Sequence, residues 1–241
     1  LEALTRIIDM ESDMYAMVFC RTRNDVDELT EKLQSEGYPV DALHGDIAQA
    51  QRTKVIGRFK KRDFRILIAT DVAARGIDVN DLTHVINFSL PQGTESYVHR
   101  IGRTGRAGKT GTAIPFVTPA EYRRLTQIQR EAHTDIRQAH LPQGREIVEA
   151  KKQQFVEKLT SVIEAGEHND YLGFAEELMT VCDHPADIFA AMLRLKFKKE
   201  LLESSYSELG ARRRPDREAD PDGRGRARRD RLRDQIGRAH V

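Results

Sequence analysis

The segment His99-Arg100-Ile101-Gly102-Arg103-Thr104-Gly105-Arg106-Ala107-Gly108 sets three arginines at every third position, with glycines between them. A guanidinium is permanently charged and planar, and it can fork two hydrogen bonds onto a phosphate. Glycines allow close backbone approach and turns that other residues resist. The chemistry open to such a segment is to grip the phosphate chain of a nucleotide. A lone basic triplet reads more readily as a solvated turn, so its surroundings decide. The run from Gly102 also nearly spells a phosphate-binding P-loop ending in Gly108-Lys109-Thr110, but five residues separate its glycines where four are required. A P-loop follows a strand and opens a helix, whereas this run follows a helix-like stretch and enters a strand, so it is rejected as one.

The elements that must hold these arginines follow from hydrophobic periodicity. Met14 to Cys20 reads as a buried strand, and Asn24 to Glu36 as a helix with Val26, Leu29 and Leu33 on one face, stopped by Gly37. Val40 to Leu43 is a second strand, and Ile47 to Arg62 a helix with Val55, Ile56 and Phe59 inward. Phe64 to Ala69 is a strand followed by a loop, Val85 to Phe88 a strand, and Glu95 to Ile101 a short helix. Thr112 to Val117 is a strand and Glu121 to Ala132 a helix. This alternation predicts an α/β domain with a parallel sheet and helices on both faces. Pro115 cannot donate to a ladder, which predicts an edge position or a bulge there.

With 241 residues, the chain can hold one large domain or two small ones. Its net charge is only +1, from 39 basic and 38 acidic residues, so total charge does not mark a nucleic-acid binder and only local clustering could. Cys20 and Cys182 lie far apart without metal-type spacing, which argues against a disulfide framework and fits a reducing cytoplasm. The eight histidines show no ligand spacing, so no metal site is expected on this chain. Apolar runs such as Tyr15 to Cys20 are too short to span a bilayer, and no signal peptide is visible. Both ends read as cut: a helix-like segment starts at Leu1, and Ile236 to Val241 resembles a translated sequencing adapter.

Further motifs stand in a fixed order. Val18-Phe19-Cys20-Arg21-Thr22-Arg23 comes first, then Leu43-His44-Gly45-Asp46 with Gln51-Arg52. Ala69-Thr70-Asp71-Val72-Ala73-Ala74-Arg75-Gly76-Ile77-Asp78 follows, then Val85-Ile86-Asn87-Phe88 and the arginine segment. Over residues 1 to 142 the chain thereby resembles the second, C-terminal RecA-like domain of a DEAD-box RNA helicase. Asp46 to Arg52 and Thr94 to Tyr97 are most similar to the bacterial cold-shock DeaD type.

That resemblance implies an ATP-dependent RNA helicase whose two RecA-like domains close on ATP and RNA. Arg103 and Arg106 would be arginine fingers reaching the terminal phosphate, and Asp78 would face the ribose. Gly76 would allow close approach beside them. His99 and Arg100 would couple the site to the rest of the domain. Thr22, Arg23, Gly45, Arg52 and Thr70 would contact the RNA sugar-phosphate backbone without reading bases. The chain contains neither a P-loop nor an Asp-Glu-Ala-Asp box. ATP and Mg²⁺ would therefore be held mainly by a preceding RecA-like domain, and the fragment alone would be inactive. Taken singly, Asp78, His44, His99, Thr22, Thr70, Arg52 and the two glycines could each be a cap, core or turn residue.

Leu141-Pro142-Gln143-Gly144-Arg145 marks a boundary. Residues 143 to 208 read as a helical module, with Phe155, Leu159, Val162 and Ile163 at helical spacing and Asp183 or Asp187 as a cap ahead of the last helix. Phe174, Leu178, Phe189, Leu193 and Phe197 are more apolar surface than so short a bundle hides. The resemblance implies that this module forms a homodimer; the alternative is an appendage packed on its own domain. Residues 209 to 241 form an arginine-rich tail expected to be disordered, serving either as a linker or as a weak phosphate-holding tether. Two rival functions remain at this point: an RNA-binding, dimerising scaffold without catalysis, and a superfamily 2 DNA helicase.

Overall fold

The computed structural model describes residues 1–11, 13–79, 81–105, 108, 110–182, 184–198, 200–206 and 235–240. Its elements are α1 (Glu2–Met10), β1 (Ala16–Cys20), α2 (Arg23–Ser35), β2 (Val40–Leu43), α3 (Gln49–Lys60), β3 (Ile66–Thr70) and α4 (Asp71–Ala74). They continue with β4 (His84–Asn87), α5 (Thr94–Ile101), β5 (Thr112–Val117), α6 (Tyr122–Ala132), β6 (Arg137–Ala139), α7 (Gly144–Glu164), α8 (Leu172–Met179), α9 (Pro185–Phe197) and β7 (Gln235–His240). They form two compact units: one contains β1 to β7 with α2 to α6, the other α1 with α7, α8 and α9.

In the first unit the strand order is β2-β3-β1-β4-β5-β7-β6, and β1 to β5 are mutually parallel. This is the expected parallel α/β sheet. Every position of β1 and of β3 is buried, as interior strands covered on both faces require. The chain steps one way from β1 to β2 and the other way from β2 to β3. Right-handed connections then put α2 on one face and α3 and α5 on the other. Val55 and Phe59 of α3 accordingly pack with Met17 and Phe19 of β1. Tyr97 and Ile101 of α5 pack with Val117, Leu125 and Ile128. Burial pushes the Tyr97 phenol up to about 12, so it is an uncharged core group.

Three details depart from the sequence reading. The segment after β3 is not only a loop, because Asp71–Ala74 makes a single helical turn. Gln235–His240, expected within a disordered tail, instead pairs antiparallel with both β5 and β6. A backbone edge left open on each neighbour supplies the donors and acceptors for such a strand. The rest of that tail, residues 209–234 and 241, lies outside the described residues, as do residues 207 and 208 before it. Pro115 faces Asn87 in the parallel ladder, while the β5–β7 pairs skip Ile114 and Pro115. The ladder is thus interrupted where the proline has no N–H to give.

In the second unit, α1 docks through a buried arginine. Arg6 is 4% exposed, donates to the Pro142 carbonyl at 3.0 Å and pairs with Glu2 at 2.7 Å. Lys151 of α7 sits between Asp9 at 3.1 Å and Glu200 at 3.0 Å. The Tyr206 hydroxyl donates to Asp9 at 3.1 Å. These bonds tie α1, residues 2–10 in sequence, to segments beyond 142. The last helix begins at Pro185 behind His184, not behind an aspartate cap; Asp187 lies inside its first turn, where its charge suits the helix dipole, and Asp183 lies outside the described residues. Val156, Leu159, Ile163, Phe174, Phe189, Met192 and Leu195 are all exposed.

Candidate functional site

The site lies at the carboxyl ends of the parallel strands, where β3 and β4 flank β1 and the chain order reverses. Open α/β sheets form a crevice at such a point. Arg100 fills it. Its guanidinium bonds Asp71 through two parallel contacts of 2.6 and 2.7 Å. It also donates at 2.8 Å to Asn87 Oδ1 and at 2.8 Å to the Ser89 carbonyl. Its face covers the Phe19 ring at 4.9 Å. The side chain is 3% exposed, so its charge is carried almost wholly by these partners. Arg100 therefore fastens the ends of β1, β3 and β4 together. Asp71 and Asn87 lie inside the Ala69-to-Asp78 and Val85-to-Phe88 motifs, but nothing in the sequence marks them as partners of Arg100.

Two further residues staple the turn after α5 to the same β3–β4 connection. Arg103 donates to the Ile77 carbonyl, one residue before Asp78. Thr104 donates to the Leu82 carbonyl. Arg103 thus stands beside the Gly76–Asp78 segment. Gly76 has φ +76, a left-handed conformation that favours glycine. The Asp78 side chain is 83% exposed and 3.9 Å from Lys60. Phe19, Asp71, Arg75, Ser96, His99 and Arg103 line one shallow pocket around Arg100. His99 is exposed at its rim. Arg106 lies outside the described residues. Cys20, next to Phe19, is buried with its thiol pushed up to about 12 by burial, which makes it a core group and not a nucleophile.

The residues predicted to face RNA fall into two places. Thr22 caps α2: its hydroxyl accepts the Asp25 N–H at 3.1 Å, and Asp25 accepts the Thr22 N–H at 3.0 Å. Arg23 is exposed and paired with Asp46, which holds the Asp46 carboxyl below its ordinary range. Gly45 is exposed between them. Its backbone is not left-handed, and a Cβ there would meet only the Arg23 guanidinium at 3.6 Å. His44 orders the same turn, with Nε2 2.8 Å from Asp27 and Nδ1 accepting from the Asp46 N–H at 3.4 Å. The second place is α4. Arg52 donates to the Ala73 carbonyl at 2.6 Å, and Thr70 is buried at the head of that turn.

The family model for the helicase conserved C-terminal domain matches residues 1–108. The crystal structure of the Escherichia coli DEAD-box protein SrmB, bound to the regulator RraA, is 39% identical with a TM-score of 0.51, covering 54% of this chain and 77% of that one. This chain belongs to the DEAD-box helicase family. A DEAD-box ATP-dependent RNA helicase CshA of Geobacillus kaustophilus is 41% identical over 230 residues, 94% of this chain and 49% of the relative. The chain spans about a third to a half of the length of the curated relatives it matches. Saccharomyces cerevisiae Dbp5, solved with RNA and ADP BeF3, is 36% identical with a TM-score of 0.51, covering 54% of this chain and 35% of that one. These likenesses identify the sheet unit as the RecA-like fold of the family's C-terminal helicase domain. Among the described residues no group of three or more His, Cys, Asp or Glu side chains converges as a metal-ligand set. No helix among them is long and apolar enough to cross a membrane.

Proposed function

We propose that this chain is the second half of an ATP-dependent RNA helicase, completing a nucleotide site whose phosphate cradle lies on a preceding RecA-like domain. The observation that carries this reading is Arg103, fastened to the Ile77 carbonyl beside exposed Asp78. A carboxylate there suits the vicinal hydroxyls of a ribose. A guanidinium on the same edge suits the charge that develops on a transferring phosphoryl group. Arg106, three residues further along the sequence, is its companion finger. Mg²⁺ belongs to the other half in this reading.

RNA would run over the ends of β1 to β3, on Arg23, the Gly45 turn, Arg52 and Thr70. Contacts of this kind read sugar and phosphate and leave sequence unread. That the Dbp5 relative was solved with RNA supports RNA as the partner in this reading. Arg23 would exchange Asp46 for a phosphate, one anion for another, on an exposed surface. Closure of the two halves on ATP and RNA would bend one strand and release its partner, and product loss would reopen the cleft. A cytoplasmic setting belongs to the same reading.

The test is turnover. Purified residues 1–241 should show no RNA-stimulated ATP hydrolysis, and joining them to the preceding domain should create it. Turnover by the fragment alone would overturn the reading. The helical unit is proposed to form a homodimer through the exposed faces of α7, α8 and α9, supported by Leu159, Ile163, Phe174 and Phe189 lying open to solvent. Light scattering should give twice the chain mass at micromolar concentration; a monomer throughout that range removes the dimer.

A further inference from the structure

We infer that Thr104 and Gly111 are positioning residues that hold the arginine turn in register with the β3–β4 connection. The inference rests on the finger role proposed above for Arg103 and adds the groups that set its place. Thr104 is 1% exposed. Its N–H bonds the Ile101 carbonyl at 3.0 Å, its hydroxyl donates to the Leu82 carbonyl, and its backbone bridges Leu82. It is thus the fixed point immediately after Arg103.

Gly111 presses on that point from the other side. It is buried and its φ is not left-handed, so only space requires a glycine. A Cβ there would fall against the Thr104 hydroxyl, 2.9 Å from Thr104 Cβ and 2.5 Å from the Gly105 backbone nitrogen. A backbone nitrogen cannot rotate out of the way. Position 111 cannot retreat easily either, because the next residue is locked into the sheet: the Thr112 N–H bonds the Thr83 carbonyl at 2.9 Å. The segment that yields is therefore 104–105, which lies between Arg103 and Arg106. A shift of about 1 Å at a reacting group costs about 100-fold in rate.

The experiment uses the protein carrying both helicase halves, with ATP turnover and RNA affinity measured separately. Gly111→Ala should lower kcat by about 100-fold, with KM for ATP and RNA affinity unchanged, as a displaced transition-state contact requires. Thr104→Val keeps the volume but removes the donor, and should also lower kcat. Thr104→Ser keeps the donor and should restore most of it. Gly173→Ala, which meets nothing within 4 Å, serves as the glycine control. Should Gly111→Ala fail to fold, the Thr104 pair decides by itself. Equal losses for Val and Ser, or full turnover in both Gly111→Ala and Thr104→Val while Arg103→Ala is inactive, overturn the positioning role and leave the finger reading intact. Full turnover in Arg103→Ala removes both.

Discussion

Replacing Arg103 with alanine should lower RNA-stimulated ATP turnover by about 10³- to 10⁵-fold, the range found when an arginine finger is lost. That corresponds to roughly 4 to 7 kcal/mol of barrier. RNA affinity should hardly change, because the residues proposed to face RNA lie on other elements: Arg23 on α2, Gly45 after β2 and Arg52 on α3. Stability should also change little. Arg103 is only half-buried, and its one carbonyl bond is worth about 1 kcal/mol. Arg103→Lys should not rescue, since an ammonium presents a point charge where the planar fork holds Ile77 and could still face a phosphate. Steady-state hydrolysis in the protein with both halves checks this, alongside RNA titration. The scaffold reading, which has no catalysis, predicts instead that the substitution leaves biological activity intact. Comparing stimulation by RNA and by DNA separates the remaining rival.

The second large effect concerns stability. Asp71→Ala should destabilise the sheet unit by about 3 kcal/mol, because it strands a charge that water cannot reach. The asymmetry of the pair fixes the sign of the comparison. The Arg100 side chain is 3% exposed, whereas that of Asp71 is 37% exposed and can be rehydrated if its partner is lost. Arg100→Met, which fills much of the same space over Phe19, should therefore cost less than Asp71→Ala. Urea unfolding midpoints of the two variants check the order. A smaller loss for Asp71→Ala than for Arg100→Met would mean that packing on Phe19, not the ion pair, holds this junction.

Local signals made much of this molecule legible. The capping box of Thr22 and Asp25 starts α2, and the spacing of Val26, Leu29 and Leu33 gives its buried face. Strands covered on both sides read as unbroken apolar runs, as in Ile66–Thr70. The order of motifs singled out Arg103 and Asp78, and the structure places Arg103 against the Ile77 carbonyl, one residue before Asp78. Other features carried no local signal. A four-residue helix such as α4 has no periodicity to detect, and neither has the three-residue β6. Asp71 became a partner of Arg100 only when parallel strands brought residues 29 apart in sequence together. Gly45 and Gly111 look alike in the sequence. Packing alone separates them, since a side chain fits at the first and collides with backbone at the second.

The union of α1 with distant helices bears on how the molecule comes into being. Arg6 and Pro142 are separated by 136 positions, and Asp9 and Tyr206 by 197. A ribosome delivers α1 ahead of the whole parallel sheet and its partners long afterwards. At a few residues per second, the apolar side of this helix waits for roughly ten seconds or more before its cover exists. Throughout that interval Leu4 and Ile7, buried in the finished protein, are open to chaperones and to neighbouring nascent chains. Among these elements, the one translated earliest is among the last to find its place.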